Sequence, residues 1–171
     1  MSSGTELLEE EVLTQFQKIG PVIGLSNPYL KGRPGDYSAY DTESTNWQER
    51  VVDLIRGAAV MVVVIGKTSA LGWEVRQIQS YKSLEHTLFV FRPESPENSR
   101  DGLQWLLNEL QMPQETRFRV HGKGKLLIAY ITARQAHAFF DEGYQGFRYA
   151  YAVTQALQEL RTNGQRKGTA A

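Results

Sequence analysis

The sequence predicts an α/β fold, with a central, mostly parallel sheet of about five strands and helices on both faces. Three observations predict it. Short runs rich in β-branched and aromatic residues, "AVMVVVI" (59–65), "TLFVF" (87–91) and "KLLIAYI" (125–131), alternate with stretches whose apolar residues recur at steps of three and four. The runs are almost continuously apolar, as strands are when helices cover both faces of a sheet. The 171 residues, 41% hydrophobic and 22% charged, are enough to bury one core.

The elements follow in order. Leu8, Val12, Phe16 and Ile19 mark one face of a first helix, closed by Gly20-Pro21, and the acidic "EEE" at 9–11 is its solvated face. "PVIGL" (21–25) reads as a short buried strand. Residues 26–43 hold two prolines, two glycines and three tyrosines without an apolar period, and so read as a long loop. Thr45 and Gln48 have the spacing of a capping box, opening a helix whose buried face is Trp47, Val51, Leu54, Ile55 and Ala58. After the strand at 59–65, Leu71, Val75, Ile78 and Tyr81 give the next helix. "RPESPENSRDG", following the strand at 87–91, reads as a loop, and Leu103, Leu106, Leu107 and Leu110 as a helix stopped by Pro113. The polar stretch 114–125 offers only a short edge strand near Arg117–Val120. Phe147, Ala150, Val153, Leu157 and Leu160 form a closing helix, so that residues 1–162 read as one domain and 163–171 as a disordered tail. Right-handed crossovers make a flavodoxin-like order the simplest topology, with the loops after 25, 65, 91 and 131 at one edge of the sheet.

Composition excludes several functions. Lys plus Arg and Asp plus Glu each number 19, so charge gives no reason to expect nucleic acid as a partner. Without cysteine there are no disulfides, thiolate zinc sites or thiol nucleophiles. The acidic start lacks a signal-peptide pattern and no apolar run is long enough to span a membrane, so the expectation is a soluble, cytoplasmic chain. "GKT" at 66–68 is not a phosphate loop, since the glycine it needs falls on Met61. The pairs 122–123 and 124–125 fail likewise, on Arg117 and Arg119. His86, His121 and His137 show no metal-ligand spacing. His137 and Asp141, four apart, suggest a surface hydrogen bond on a helix, and no metal is expected. The nucleophile elbow G-x-S-x-G is absent.

What remains is "SALGWEV", Ser69 to Val75, at the C-terminal mouth of the 59–65 strand. Trp73 and Glu74 admit two readings. Trp73 can be a core residue at a helix start, with Glu74 a first-turn carboxylate favoured by the helix dipole. Alternatively the ionised Glu74 faces a ligand, hydrogen-bonding ribose hydroxyls or stabilising an oxocarbenium-like sugar, with the indole packed beside it. The 26–43 loop carries Asn27, Tyr29, Arg33, Tyr37 and Tyr40, which either reach the same edge as donors and stacking faces or simply pack on the scaffold.

The succession "GPVIGLSNP", a loop rich in Tyr and Pro, "NWQERVVDLIRGAAVMVVVIGKTSALGWEV" and "TLFVF" resembles the TIR-like domains of bacterial proteins, which often lie behind transmembrane helices. These belong to the Toll/interleukin-1 receptor-like, flavodoxin-type fold group. The resemblance covers roughly residues 15–95 by motif and the rest by element order. It implies a TIR-like three-layer fold. It also implies NAD glycohydrolase activity in signalling or defence, with NAD as substrate and no cofactor. Glu74 matches the glutamate that cleaving members carry at the start of this helix, Ser69 and Trp73 would flank the site, and the first loop would add Asn27, Tyr29 and Arg33. A tryptophan precedes the glutamate here, where cleaving members often have a serine-cysteine or similar small pair a few residues upstream. Partners implied are like domains, since self-association often completes such sites, together with a nucleotide ligand and a membrane-anchored relative. Two other functions remain open: a non-enzymatic interaction or nucleotide-sensing module, and a nucleoside or nucleotide transferase using the carboxylate as nucleophile.

Overall fold

A computed structural model describes residues 14–18, 23–26, 38–41, 47–66, 68–81, 84–91, 96–113, 116–132, 135–141 and 150–160. Two short strands, β1 (Ile23–Ser26) and β2 (Ser38–Asp41), pair in parallel, Ile23 opposite Ser38 and Ser26 opposite Asp41. Helix α1 (Trp47–Gly57) leads to β3 (Met61–Ile65), α2 (Ser69–Ser80), a single 3-10 turn at Leu84–His86 and β4 (Thr87–Phe91). Helix α3 (Pro96–Glu109), strands β5 (Phe118–His121), β6 (Lys125–Ile131) and β7 (Ala136–Asp141), and α4 (150–160) follow. Residues 14–17 are helical; the rest of the first expected helix, and Thr45 of the expected capping box, lie outside the described residues.

The predicted α/β class and five-stranded sheet are present, in the order β3-β4-β6-β7-β5. Three of the five strand pairings among the described residues are parallel: β1–β2, β3–β4 and β5–β7. The pairings β4–β6 and β6–β7 are antiparallel. The departure from a simple doubly wound order begins where the chain leaves β6. Only 132–135 separate β6 from β7, too few for a parallel crossover, so β7 turns straight back. Thr132 closes that turn, its backbone N–H and hydroxyl both donating to the Gln135 carbonyl at 2.9 Å. Strand β7 was not expected from the sequence, and β2 lies within the expected 26–43 loop.

Side chains alternate between two apolar layers. Val62 and Val64 of β3, Leu88 and Val90 of β4, and Ile128, Tyr130 and Phe139 face α4, where Ala152, Val153, Ala156, Leu157 and Leu160 are buried, with Phe16 in the same layer. Val63, Ile65, Phe89, Phe91, Leu126, Ala129 and Ala138 face the other way, onto Val51 and Ile55 of α1, Val75 and Ile78 of α2, and Leu106 and Leu110 of α3. Among the described residues, three helices therefore cover one face, and α4 with the helical residues 14–17 the other. Each fully buried aliphatic side chain contributes roughly 1.5–3 kcal/mol. The register of β6 slips between Leu126 and Ile128, a bulge that puts both Leu127 and Ile128 on the α4 side.

The connection between β5 and β6 passes over the end of β7, which lies between them. Gly122 has φ +83°, and a Cβ there would sit 2.2 Å from the Phe140 carbonyl oxygen, so glycine is required for the backbone to come this close. Strand β5 is an edge strand, with Arg119 exposed and Val120 60% exposed. Among the described residues no helix is long and apolar enough to cross a membrane.

Candidate functional site

The expected site lies where β3 passes into α2. Thr68 is the N-cap, in extended conformation, and its hydroxyl accepts a hydrogen bond from the Leu71 N–H at 3.2 Å. The helix thus begins at Ser69, which is exposed, and Glu74 is its sixth residue. This corrects the first-turn placement expected from the sequence. The free N–H groups and the favourable end of the dipole belong to the first turn, which contains no acidic residue. Glu74 is instead half-buried in the second turn, and burial pushes its carboxyl above the usual glutamate range. Among the described residues it has no hydrogen-bond or ion-pair partner.

Its neighbours are fixed by packing. A Cβ on Gly72 would lie 3.1 Å from the Glu109 carboxylate, so the missing side chain lets α3 approach and Glu109 pair with Arg76. Trp73 meets the edge of Trp47 with ring centroids 5.1 Å apart and planes at 67°. With Gln48, Glu49, Val52, Asp53 and Arg56 of α1, Trp73 lines an open groove of about 390 Å³. Arg56 also contacts Tyr81, its guanidinium 4.7 Å from the ring centre and donating to the hydroxyl at 3.1 Å. Glu74 is not among the groove residues. Successive helical residues point about 100° apart, which separates the indole from the carboxylate. Asn27, Tyr29, Arg33 and Tyr37 lie outside the described residues, and of Tyr40 only the β2 backbone is described.

A second constellation lies on the opposite, α4-covered face, and sequence reasoning missed it. Tyr130 of β6 and His137 of β7 are register partners, and their rings stack at 4.7 Å with planes 5° apart. His121 of β5 stacks on its register partner Phe139 at 4.2 Å. His121 Nε2 and His137 Nδ1 are 3.3 Å apart, a hydrogen bond that needs the proton on one nitrogen and the lone pair on the other. Tyr130 donates its hydroxyl proton to Glu159 Oε2 of α4 at 2.8 Å, and the same oxygen is 3.7 Å from His137 Nδ1. Burial lowers the pKa of His137, opposed by Glu159 and reinforced by His121 and Arg119. Burial also raises Tyr130, aided by its bond to Glu159. His137 and Asp141 are both buried in a strand, which corrects the expected surface hydrogen bond on a helix. The signal that could have revealed the cluster is alternation. His121 ends "FRVH", and His137, Phe139 and Asp141 share one face of an extended segment. Among the described residues no group of three His, Cys, Asp or Glu is placed to hold a metal ion.

Comparison with models of protein families, with curated proteins and with solved structures finds no match to this chain.

Proposed function

We propose that the chain is a TIR-like NAD glycohydrolase in which Glu74 stabilises the ribose cation. The observation that carries the reading is the half-buried Glu74 carboxylate, which has no countercharge among the described residues. Such a group is costly to keep ionised in the resting protein and gains most from a cation that forms beside it. Cleavage of the nicotinamide–ribose bond supplies that cation. The C1′–N bond breaks with its electron pair passing to the nicotinamide nitrogen, which loses its positive charge while C1′ and the ring oxygen of the ribose become cationic. Water then adds to C1′ and gives up a proton, leaving ADP-ribose. An interaction that strengthens only as charge reaches the ribose lowers the barrier rather than merely tightening binding. Asn27, Tyr29, Arg33, Ser69 and Trp73 would contact the substrate, and self-association with like domains would complete the site.

A second reading, a non-enzymatic interaction module, is favoured by one observation. Trp73 opens onto the α1 groove rather than onto Glu74. The two separate in one experiment, in which purified protein is incubated with NAD at low concentration and at high concentration with a crowding agent, and nicotinamide release is followed by chromatography. Release that is lost in both Glu74→Gln and Glu74→Ala, with folding unchanged, is expected. Its rate should fall on the acid side at a pH above the ordinary glutamate value of 4.5, because the carboxylate must be ionised and burial raises its pKa. No release under any condition would leave the interaction module, with its partner in the α1–Trp73 groove.

A further inference from the structure

The geometry points to an acid-operated latch between the edge strand β5 and the helix α4, with His137 Nδ1 as its switching atom. That nitrogen has two neighbours, His121 Nε2 at 3.3 Å and Glu159 Oε2 at 3.7 Å. They make opposite demands. As a lone pair, Nδ1 accepts the His121 Nε2–H and ties β5 to β7. As an N–H, it turns a donor toward His121 and instead suits the Glu159 carboxylate. With both rings protonated, two N–H groups and two positive charges face each other, and the bond between the strands is lost. One added proton can still be shared between the two nitrogens, the bond merely reversing, but the second removes the last lone pair and leaves Nδ1 to the α4 partner.

The groups facing His137 decide which ring leaves. Tyr130 from β6 covers one ring face, Glu159 comes from α4, and His121 and Arg119 come from β5. The His137 side chain is only 6% exposed and held among these, whereas His121 is half-buried on a strand at the edge of the sheet. Arg119, directly opposite His137 in register, adds a second like charge on β5 once the pair is protonated. Both repulsions thus act on β5, while the single attraction, from Glu159, holds His137 in place. In the described sheet β5 pairs with β7 alone, so releasing His121 also uncovers Phe139 and frees the last rung of the β5–β7 ladder. The direction is set by burial. The folded protein resists protonating His137, so stability contributed by its neutral form is present above the ordinary histidine value of 6.5. It is lost as the pH falls below that value.

The test is amide hydrogen exchange of the whole chain from about pH 7.5 to about pH 5, corrected for the intrinsic rate, with ring nitrogen resonances of both histidines followed by NMR. Protection at 118–121 should fall at least about tenfold more than at 61–65 and 87–91 across this range. His121→Phe, which keeps an aromatic ring on Phe139 but has no proton to share, should abolish that selective loss. Glu159→Gln, which can still accept from Tyr130 but removes the charge awaiting His137, should move the opening to lower pH. Equal loss of protection in all three strands, no loss at 118–121, or an unchanged response in His121→Phe would each overturn the latch.

Discussion

Two regions of this molecule bury titratable side chains, and they do so with opposite consequences. On α2, Glu74 is desolvated and has no partner among the described residues. Across the sheet, His137 is more deeply buried, yet its ring is stacked on Tyr130, its Nδ1 meets His121, and Glu159 is within 3.7 Å. Burial favours the neutral form in both places, raising the carboxyl and lowering the imidazole. The difference is compensation. A satisfied buried network adds to stability and specifies a packing, whereas an unsatisfied group subtracts from it and persists where function uses it. Substitutions of the titratable groups in the two regions should therefore change stability with opposite sign.

The largest change is expected in the second region. Tyr130 is fully buried between β7 and α4, so Tyr130→Ala should cost roughly 3–5 kcal/mol in urea unfolding through the cavity it leaves. Tyr130→Phe keeps the stack on His137 and loses only the hydroxyl bond. It should cost about 1 kcal/mol, since the Glu159 side chain, 40% exposed, can turn to water. If the two variants lost equal stability, the cluster would owe its strength to the hydrogen bond rather than to packing. The next effect belongs to the first region. A double-mutant cycle on Trp47 and Trp73 should show a coupling of about 0.5–1.5 kcal/mol from their edge-to-face contact. Zero coupling would mean that the groove wall is not held by the two rings.

The same contrast explains what the sequence reveals. Apolar pattern, periodic in α1 and α2 and nearly continuous in β3, β4 and β6, with a capping-box spacing before α1, placed these elements within a few residues, because they bury uninterrupted faces. Strand β7 escaped because its α4-facing positions are His137, Phe139 and Asp141. Its first polar position, His137, is buried against a partner remote in sequence, His121 lying 16 residues away. Helix α3 begins earlier than its leucines suggest. Pro96 is its first residue, where a missing N–H costs nothing, and Gly102 sits within it because a Cβ would come 3.3 Å from the Phe91 ring. In the candidate site, Thr68 rather than a later residue is the cap, and that one detail moves Glu74 from the first turn to the second. Motif spacing could point to Glu74, but it could not show that Trp73 turns away toward α1.

The smallest effect is also the one that separates the two regions most directly. The raised pKa of Glu74 means that the folded protein holds a proton which the unfolded chain releases from about its ordinary value of 4.5 upward. Any stability tied to this group is thus fully present below pH 4.5 and lost as the pH rises through the folded value. Glu74→Gln removes the ionisation, so its unfolding midpoint in urea should exceed that of the parent at neutral pH and match it at acid pH. His121→Phe and Glu159→Gln should show no such gain at neutral pH, where their parent network is satisfied. A Glu74→Gln variant less stable than the parent at neutral pH would reveal a partner for the carboxylate, and Glu74 would then join the second region as a structural group. A more stable variant that releases no nicotinamide would mark a side chain kept at a cost to the fold, as expected of a group that works on a bound cation.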